Sequence, residues 1–290
     1  MIFLILSILL NAAIYVLFKL FRQHDVVPLD AIVINYLTCL ITGLIWIFLS
    51  PSPLTDDIIA WLPYAVFLGS IFIGGFTLSA YCIRYFGMYL TTTMQKISML
   101  ITVLVAYFFF HEQITLINLV GLILAVAAIW LVNKKDKNNI GDQPKYSIWI
   151  LLLPAATLLI SGIVETTLYV MEALKVTHNG NIHFITTTFA IAGMMGIITR
   201  LAIRKIKPLS SFKFSTVKWG VGLGVINFAS IFFLIKALGS GPGSMIVPIN
   251  SIGILVLSSL IGIILFKEKF RALNMAGLLV AILSIYLISL

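Results

Sequence analysis

The stretch "HEQITLINLVGLILAVAAIWL", residues 111 to 131, is written a second time near the end of the chain as "KEKFRALNMAGLLVAILSIYL", residues 267 to 287. A shift of 156 residues superimposes Glu112 on Glu268, Asn118 on Asn274, Gly121 on Gly277, Ala125 on Ala281 and Trp130 on Tyr286. Aliphatic matches carry little weight in so apolar a chain. Glu, Asn, Gly and Ala falling in one register do carry weight, and they indicate a duplicated segment.

Outward from that repeat, the composition sets the solvent. Of 290 residues, 61% are hydrophobic and only 10% charged, too little polar surface to cover a water-soluble domain. Apolar runs of about 17 to 25 residues match a hydrocarbon core about 30 Å thick. Ten are expected, near 1–21, 29–49, 60–83, 88–110, 114–132, 147–171, 182–203, 217–236, 243–266 and 271–290. The first lacks a basic leader and a small-residue cleavage site, so it reads as a spanning helix and not a signal peptide. The fold class expected is an all-α membrane protein.

The formal charge of +9 needs no nucleic acid to explain it. Threading ten crossings, only Lys175 and Lys236 of the 19 Lys and Arg residues fall on one side of the bilayer. Basic loops stay cytoplasmic, which predicts a plasma (inner) membrane protein with both termini outside. Cys39 and Cys82 lie inside apolar runs and read as packing residues.

A repeat that places the fifth run on the tenth makes the repeating unit five helices. An odd unit following itself must cross in the opposite sense, which predicts two inverted halves, 1–132 and 147–290, joined by a cytoplasmic linker at 133–146. Tyr81, Arg84 and Gly87 echo Phe233, Lys236 and Gly239 at a shift of 152, the difference being absorbed by "GSGPGS", residues 239 to 244. Inverted repeats are the architecture of alternating-access carriers.

Two five-helix halves, each closing with Glu, then Asn, then GxxxA and an apolar run, resemble the drug/metabolite transporter superfamily and its EamA-type members. The resemblance implies a central cavity lined by the third, fourth, eighth and ninth helices with the first and sixth. It also implies peripheral fifth and tenth helices and rocking helix pairs. One departure is visible: the second half carries Pro248 in its fourth helix, where the first half has Thr91, Thr92, Thr93, Gln95 and Lys96.

Ionisable groups inside spans are the sharper clue, since a charge at the bilayer centre costs about 2.5–3.5 kcal/mol even on the lenient insertion scale. Lys96 is expected to attract a carboxylate, and Glu165 to bind an ammonium or a coupling proton. Counting helical rise from residue 147 puts the two at different depths, with separate roles. The other reading makes Glu165 an outer-rim carboxylate touching Lys175 or Lys236, and lets Lys96 snorkel to the cytoplasm. Asn11, Asn35, Gln95, Asn227 and Asn250 are amides in apolar sequence, expected to line a polar path or to bond between helices. Tyr15, Tyr81, Tyr169 and Phe228 could offer aromatic faces to a solute.

Pro248 removes a bond to the Ser244 carbonyl, and Gly74, Gly75, Gly220, Gly222 and Gly224 loosen their helices, which suits either hinges or close packing. Glu112 and Glu268 are expected to cap the helices they precede. Gly121 with Ala125 and Gly277 with Ala281 are small-xxx-small pairs for packing the fifth helix on the tenth.

No metal or cofactor site is expected: "HEQIT" has Thr115 where a zinc protease needs a second His, and no GxxxxGK[ST] loop occurs. An enzyme would need convergent His, Asp or Cys residues at one depth, and none is seen. The expected function is a secondary carrier exporting a small polar metabolite such as an amino acid or amine. Its partners would be the solute, membrane lipid and a coupling proton, and it would act as a monomer or weak oligomer. Uptake or exchange of sugars or nucleotide-sugars, and a lipid-handling subunit, are the alternatives.

Overall fold

A computed structural model describes residues 1–24, 26–50, 58–133, 147–176, 181–206, 213–267 and 271–290. The helices in chain order are α1 (Ile2–Gln23), α2 (Pro28–Leu49), α3 (Ile58–Ile97), α4 (Met99–Phe110), α5 (Leu116–Asn133), α6 (Ile148–Leu151), α7 (Leu153–Ala173), α8 (Ile182–Ile206), α9 (Phe214–Leu238), α10 (Gly243–Phe266) and α11 (Ala272–Ile288). Among the described residues there is no strand. Seven stretches, two of them drawn from α3 and α4, are long and apolar enough to cross a membrane, and three shorter apolar helices accompany them.

Two boundaries differ from the sequence expectation. Helical backbone continues through the expected break at 84–87, from Ile58 to Ile97. Yet Gln95 Nε2 donates to Ser79 Oγ at 3.0 Å. Sixteen residues of straight helix would hold those residues about 24 Å apart, so the axis must turn back between them. The run expected from 147 is also divided, at Leu152 between α6 and α7. Pro154 lies just beyond, and its missing N–H cannot bond the Ile150 carbonyl.

The chain forms two compact units. The first holds Met1–Ile73 and Thr167–Ser240, the second Gly74–Thr166 and Gly241–Leu290. Each unit therefore draws helices from both halves of the sequence, because helices that follow one another in the chain are not always the ones that pack.

In the second unit α5 packs against α11. Asn118 Nδ2 donates to the Leu287 and Ile288 carbonyls at 3.4 and 3.2 Å, and Asn274 Nδ2 donates to those of Leu131 and Val132 at 3.0 and 2.8 Å. Every residue of the second set stands 156 positions from its counterpart in the first. The amide near the start of each helix thus holds the end of the other, which makes the pair antiparallel and related by a local two-fold. A Cβ at Gly121 would lie 3.0 Å from the Ile288 nitrogen, and one at Gly277 would lie 2.7 Å from the Val132 nitrogen. Ala125 and Ala281 have no exposed surface. Small residues let the backbones approach, and in lipid that approach is itself the attraction.

The starts of α5 and α11 repeat as well. Thr115 N donates to Asn118 Oδ1 at 3.1 Å, and Arg271 N to Asn274 Oδ1 at 3.2 Å. Glu112, expected to cap the helix it precedes, also reaches another one. Its carboxylate accepts from the Gly243 and Ser244 nitrogens at 2.9 and 2.8 Å, capping the start of α10. A carboxylate on the free N–H groups of a helix start satisfies donors and the dipole together. The expectation for Glu268 lies outside the described residues, as does nearly all of the linker.

The first unit is built on α2 with α8 and α9, and on α1 with α9. Gly43 admits Thr186 of α8 where a Cβ would overlap it, while Gly196 of α8 faces Val33 of α2, its Cβ position 3.2 Å from Val33 Cγ2. Thr186 stands 153 residues after Val33, and Gly196 stands 153 after Gly43, so this crossing too is antiparallel and made twice. Phe21, Val26, Ala31 and Leu223 form a buried cluster beneath Trp219.

Candidate functional site

In the second unit, the end of α3, the start of α4 and the middle of α7 gather a set of polar groups. Lys96 lies in the last turn of α3 and is 8% exposed. Its ammonium acts electrostatically on the Glu165 carboxylate of α7. Between them, Ser98 marks the joint of α3 and α4. Its hydroxyl lies 2.6 Å from the Gln95 carbonyl and 3.4 Å from Glu165 Oε2. One hydroxyl hydrogen goes mainly to the shorter bond, so the carboxylate receives a long and weak one. Thr102 and Thr166 exchange a hydroxyl bond at 3.0 Å one turn further along. Gln95 is held by Ser79, and Thr91 and Thr93 are buried in the turn before it.

Glycines bring these helices together. The side chain of Ile101 fills the place a Cβ would take at Gly162 of α7, and Ile160 Cγ2 lies 2.7 Å from the one Gly75 lacks. Gly75 is therefore a contact residue. Gly74 faces open space and keeps room for a bend.

Lys96 and Glu165 do not act at separate depths as helical rise had suggested, since Ser98, two residues beyond Lys96, touches Glu165. The rise count began the helix of Lys96 at residue 88, whereas helical backbone runs through that point to Ile97. In the first unit, the Lys236 ammonium sits over the rings of Phe3 and Phe232, 5.3 and 4.7 Å from their centres. A carboxylate carries about four acceptor positions. Among the described residues, the hydrogen bond that Glu165 accepts is the long one from Ser98. A half-buried carboxylate with spare acceptors, a cation at hand and hydroxyls around it can hold an ammonium group or a proton.

Pro248 lies inside α10, and the adjoining Asn250 is buried at 7% exposure. Ser251 is fully buried, and among the described residues its Oγ has no hydrogen-bond partner. Tyr81, by contrast, is 51% exposed.

The first unit holds a second polar group. Asn227 Nδ2 of α9 donates to Asn35 Oδ1 of α2 at 3.2 Å, and Cys39 Sγ lies 3.2 Å from the Gly224 carbonyl. This group forms because Gly224 lacks a side chain: a Cβ there would be 2.6 Å from the Asn35 carbonyl. Gly220 likewise sits 2.9 Å from the Ala31 carbonyl by the same measure, whereas Gly222 faces open space. Phe228 is buried and belongs to an aromatic chain of Tyr36, Phe72 and Phe189, with ring centres 6.0 to 6.4 Å apart. Asn11 bonds within its own helix, to the Ser7 carbonyl at 3.0 Å. Tyr15 is half-buried on α1, and Tyr169 is buried on the part of α7 that belongs to this unit.

Sequence reasoning missed one pair altogether. Arg200 Nε, near the end of α8, donates to Asp30 Oδ1, in the first turn of α2, at 2.7 Å, and both side chains are largely buried. Removing one partner of such a pair costs about 3–5 kcal/mol, because the other is left charged and buried. The available signal was Asp30 itself, an acid facing a long apolar run, which requires a partner somewhere.

Residues 1–134 match the EamA-like transporter family. An uncharacterized protein of Haemophilus influenzae is 24% identical over 302 residues, spanning 98% of this chain and 96% of its own length. A crystal structure of a protein superposes with a TM-score of 0.76 at 11% identity, covering 99% of this chain and 94% of that one, a likeness of fold. With its apolar helices, the family match marks the chain as a multi-pass membrane protein.

Proposed function

We propose that this chain is a secondary active transporter that exports a small polar metabolite bearing an amine, an amino acid among them, by alternating access. Ten crossings in two inverted five-helix halves, 1–132 and 147–290, would supply the two access states. The doubled contacts of α5 with α11 and of α2 with α8 support that reading, as does the family match. The basic loops would face the cytoplasm with both termini outside, and the protein would work as a monomer in the plasma membrane.

The observation that carries the proposal is Glu165, a carboxylate within reach of the Lys96 charge and held by a single long hydroxyl bond among the described residues. An ammonium on the solute would meet Glu165, and a carboxylate on it would meet Lys96. With no solute present, a proton would take the ammonium's place on Glu165, coupling export to the proton gradient. Binding and release would then be one exchange at one atom.

Flux of radiolabelled amines and amino acids into proteoliposomes, with and without an imposed pH gradient, tests this. Glu165→Gln and Lys96→Ala should each reduce flux of the best solute at least about tenfold. If both variants transport at the wild-type rate, the site assignment is wrong.

A further inference from the structure

We propose that Asp30 and Arg200 form a latch at one end of the α2/α8 crossing, so that its two ends open with unequal ease. The inference rests on the alternating-access reading above. The steric contacts of this crossing come in duplicate, Gly43 with Thr186 towards one end and Gly196 with Val33 towards the other. These contacts are neutral and stand at related positions, so they give neither end a charge that the other lacks. Two access states that exchange the halves would then be nearly equal in energy.

The charges break that equality. Asp30 and Arg200 meet at 2.7 Å beyond the Val33 contact, their side chains 3% and 12% exposed. At the other end, the positions 153 residues away are His183 and Ile47, so the same two places hold no acid facing an arginine. A second guanidinium nitrogen reaches Asp30 Oδ2 at 3.5 Å, which fixes the angle of the pair as well as its distance. With water largely excluded, the attraction is stronger than at an exposed surface. At the latched end, Ser215 Oγ donates to the His24 carbonyl at 2.9 Å, near the adjoining starts of α2 and α9. A solute can shift an equilibrium only by its differential affinity for the two states, so a latch on one end sets the resting state from which the solute must move the protein.

Thiol labelling at each end separates a latch from a general brace. With Cys39 and Cys82 replaced by Ala, Val33→Cys reports the latched end and Thr186→Cys the other. The probe is a small water-soluble maleimide on the full chain in proteoliposomes. Asp30→Asn should speed labelling at Val33→Cys by at least about tenfold while Thr186→Cys stays within about twofold. Exchanging the charges, Asp30→Arg with Arg200→Asp, should restore slow labelling. Equal acceleration at both ends would mean a mere structural brace, and no change at either would mean no latch. Either result overturns the inference. Should Asp30→Asn fail to fold, Ile47→Arg with His183→Asp installs the pair at the opposite end and should slow Thr186→Cys alone; unchanged labelling there overturns the inference equally. Labelling needs no flux. A chain that labels as expected yet moves no solute would refute the transport reading and leave the unequal ends in place.

Discussion

The α5/α11 and α2/α8 crossings each hold contacts that recur at a fixed spacing, and they differ in what recurs. At α5/α11 the amides, the glycines and the buried alanines all recur at one spacing, and each bond has its counterpart. At α2/α8 the glycine contacts recur, but the ion pair occurs at one end only. Neutral, shape-based contacts cost nothing to keep in two copies. A buried charge needs a partner in each copy, so it persists only where both residues arose. The symmetric crossing reads as scaffold, and the asymmetric one as the place where the two ends of the molecule became distinguishable.

The largest effect should come from breaking the asymmetry. Asp30→Ala leaves Arg200 buried without its carboxylate and should lower stability in a denaturant titration by about 3–5 kcal/mol, with Asp30→Ala/Arg200→Leu recovering much of that loss. Next comes the symmetric crossing. Gly121→Val and Gly277→Val should each cost about 1–3 kcal/mol, and the two costs should agree. Unequal values would show that the duplicated geometry is not duplicated in energy.

A smaller gain is expected at the turns before the repeated segments. His111 and Lys267 both hold left-handed backbone, with φ of 53° and 50°. His111→Gly and Lys267→Gly should each stabilise the protein by about 1 kcal/mol, seen as a rise in melting temperature. The smallest effect belongs to the amides: Asn118→Ala and Asn274→Ala should each cost about 0.6 kcal/mol, again in equal measure.

What the sequence made legible follows the same division. Asn118, Asn274, Gly121 and Gly277 stand out because polar and small letters are scarce in an apolar chain, and their spacing survives as their geometry. Asp30 and Arg200 were invisible as a pair because 170 residues separate them and nothing in the linear pattern joins an acid at one helix start to an arginine near another helix end. Glu112 was read with α5, which it precedes in sequence, and only the fold brings the start of α10 to its carboxylate. Lys96 and Glu165 were found as charges out of place, but their nearness depends on Ser98 and on glycine contacts that rise-counting cannot supply. Glycines divided by neighbour and not by letter: Gly75 and Gly224 are contacts, while Gly74 and Gly222 face open space.

The carboxylate of Glu112 on the first two amides of α10 also limits what that helix can do. The positive pole of a helix commonly greets an incoming anion. Here that pole is already neutralised by a side chain of the opposite half, so a solute's negative group finds no welcome at the start of α10.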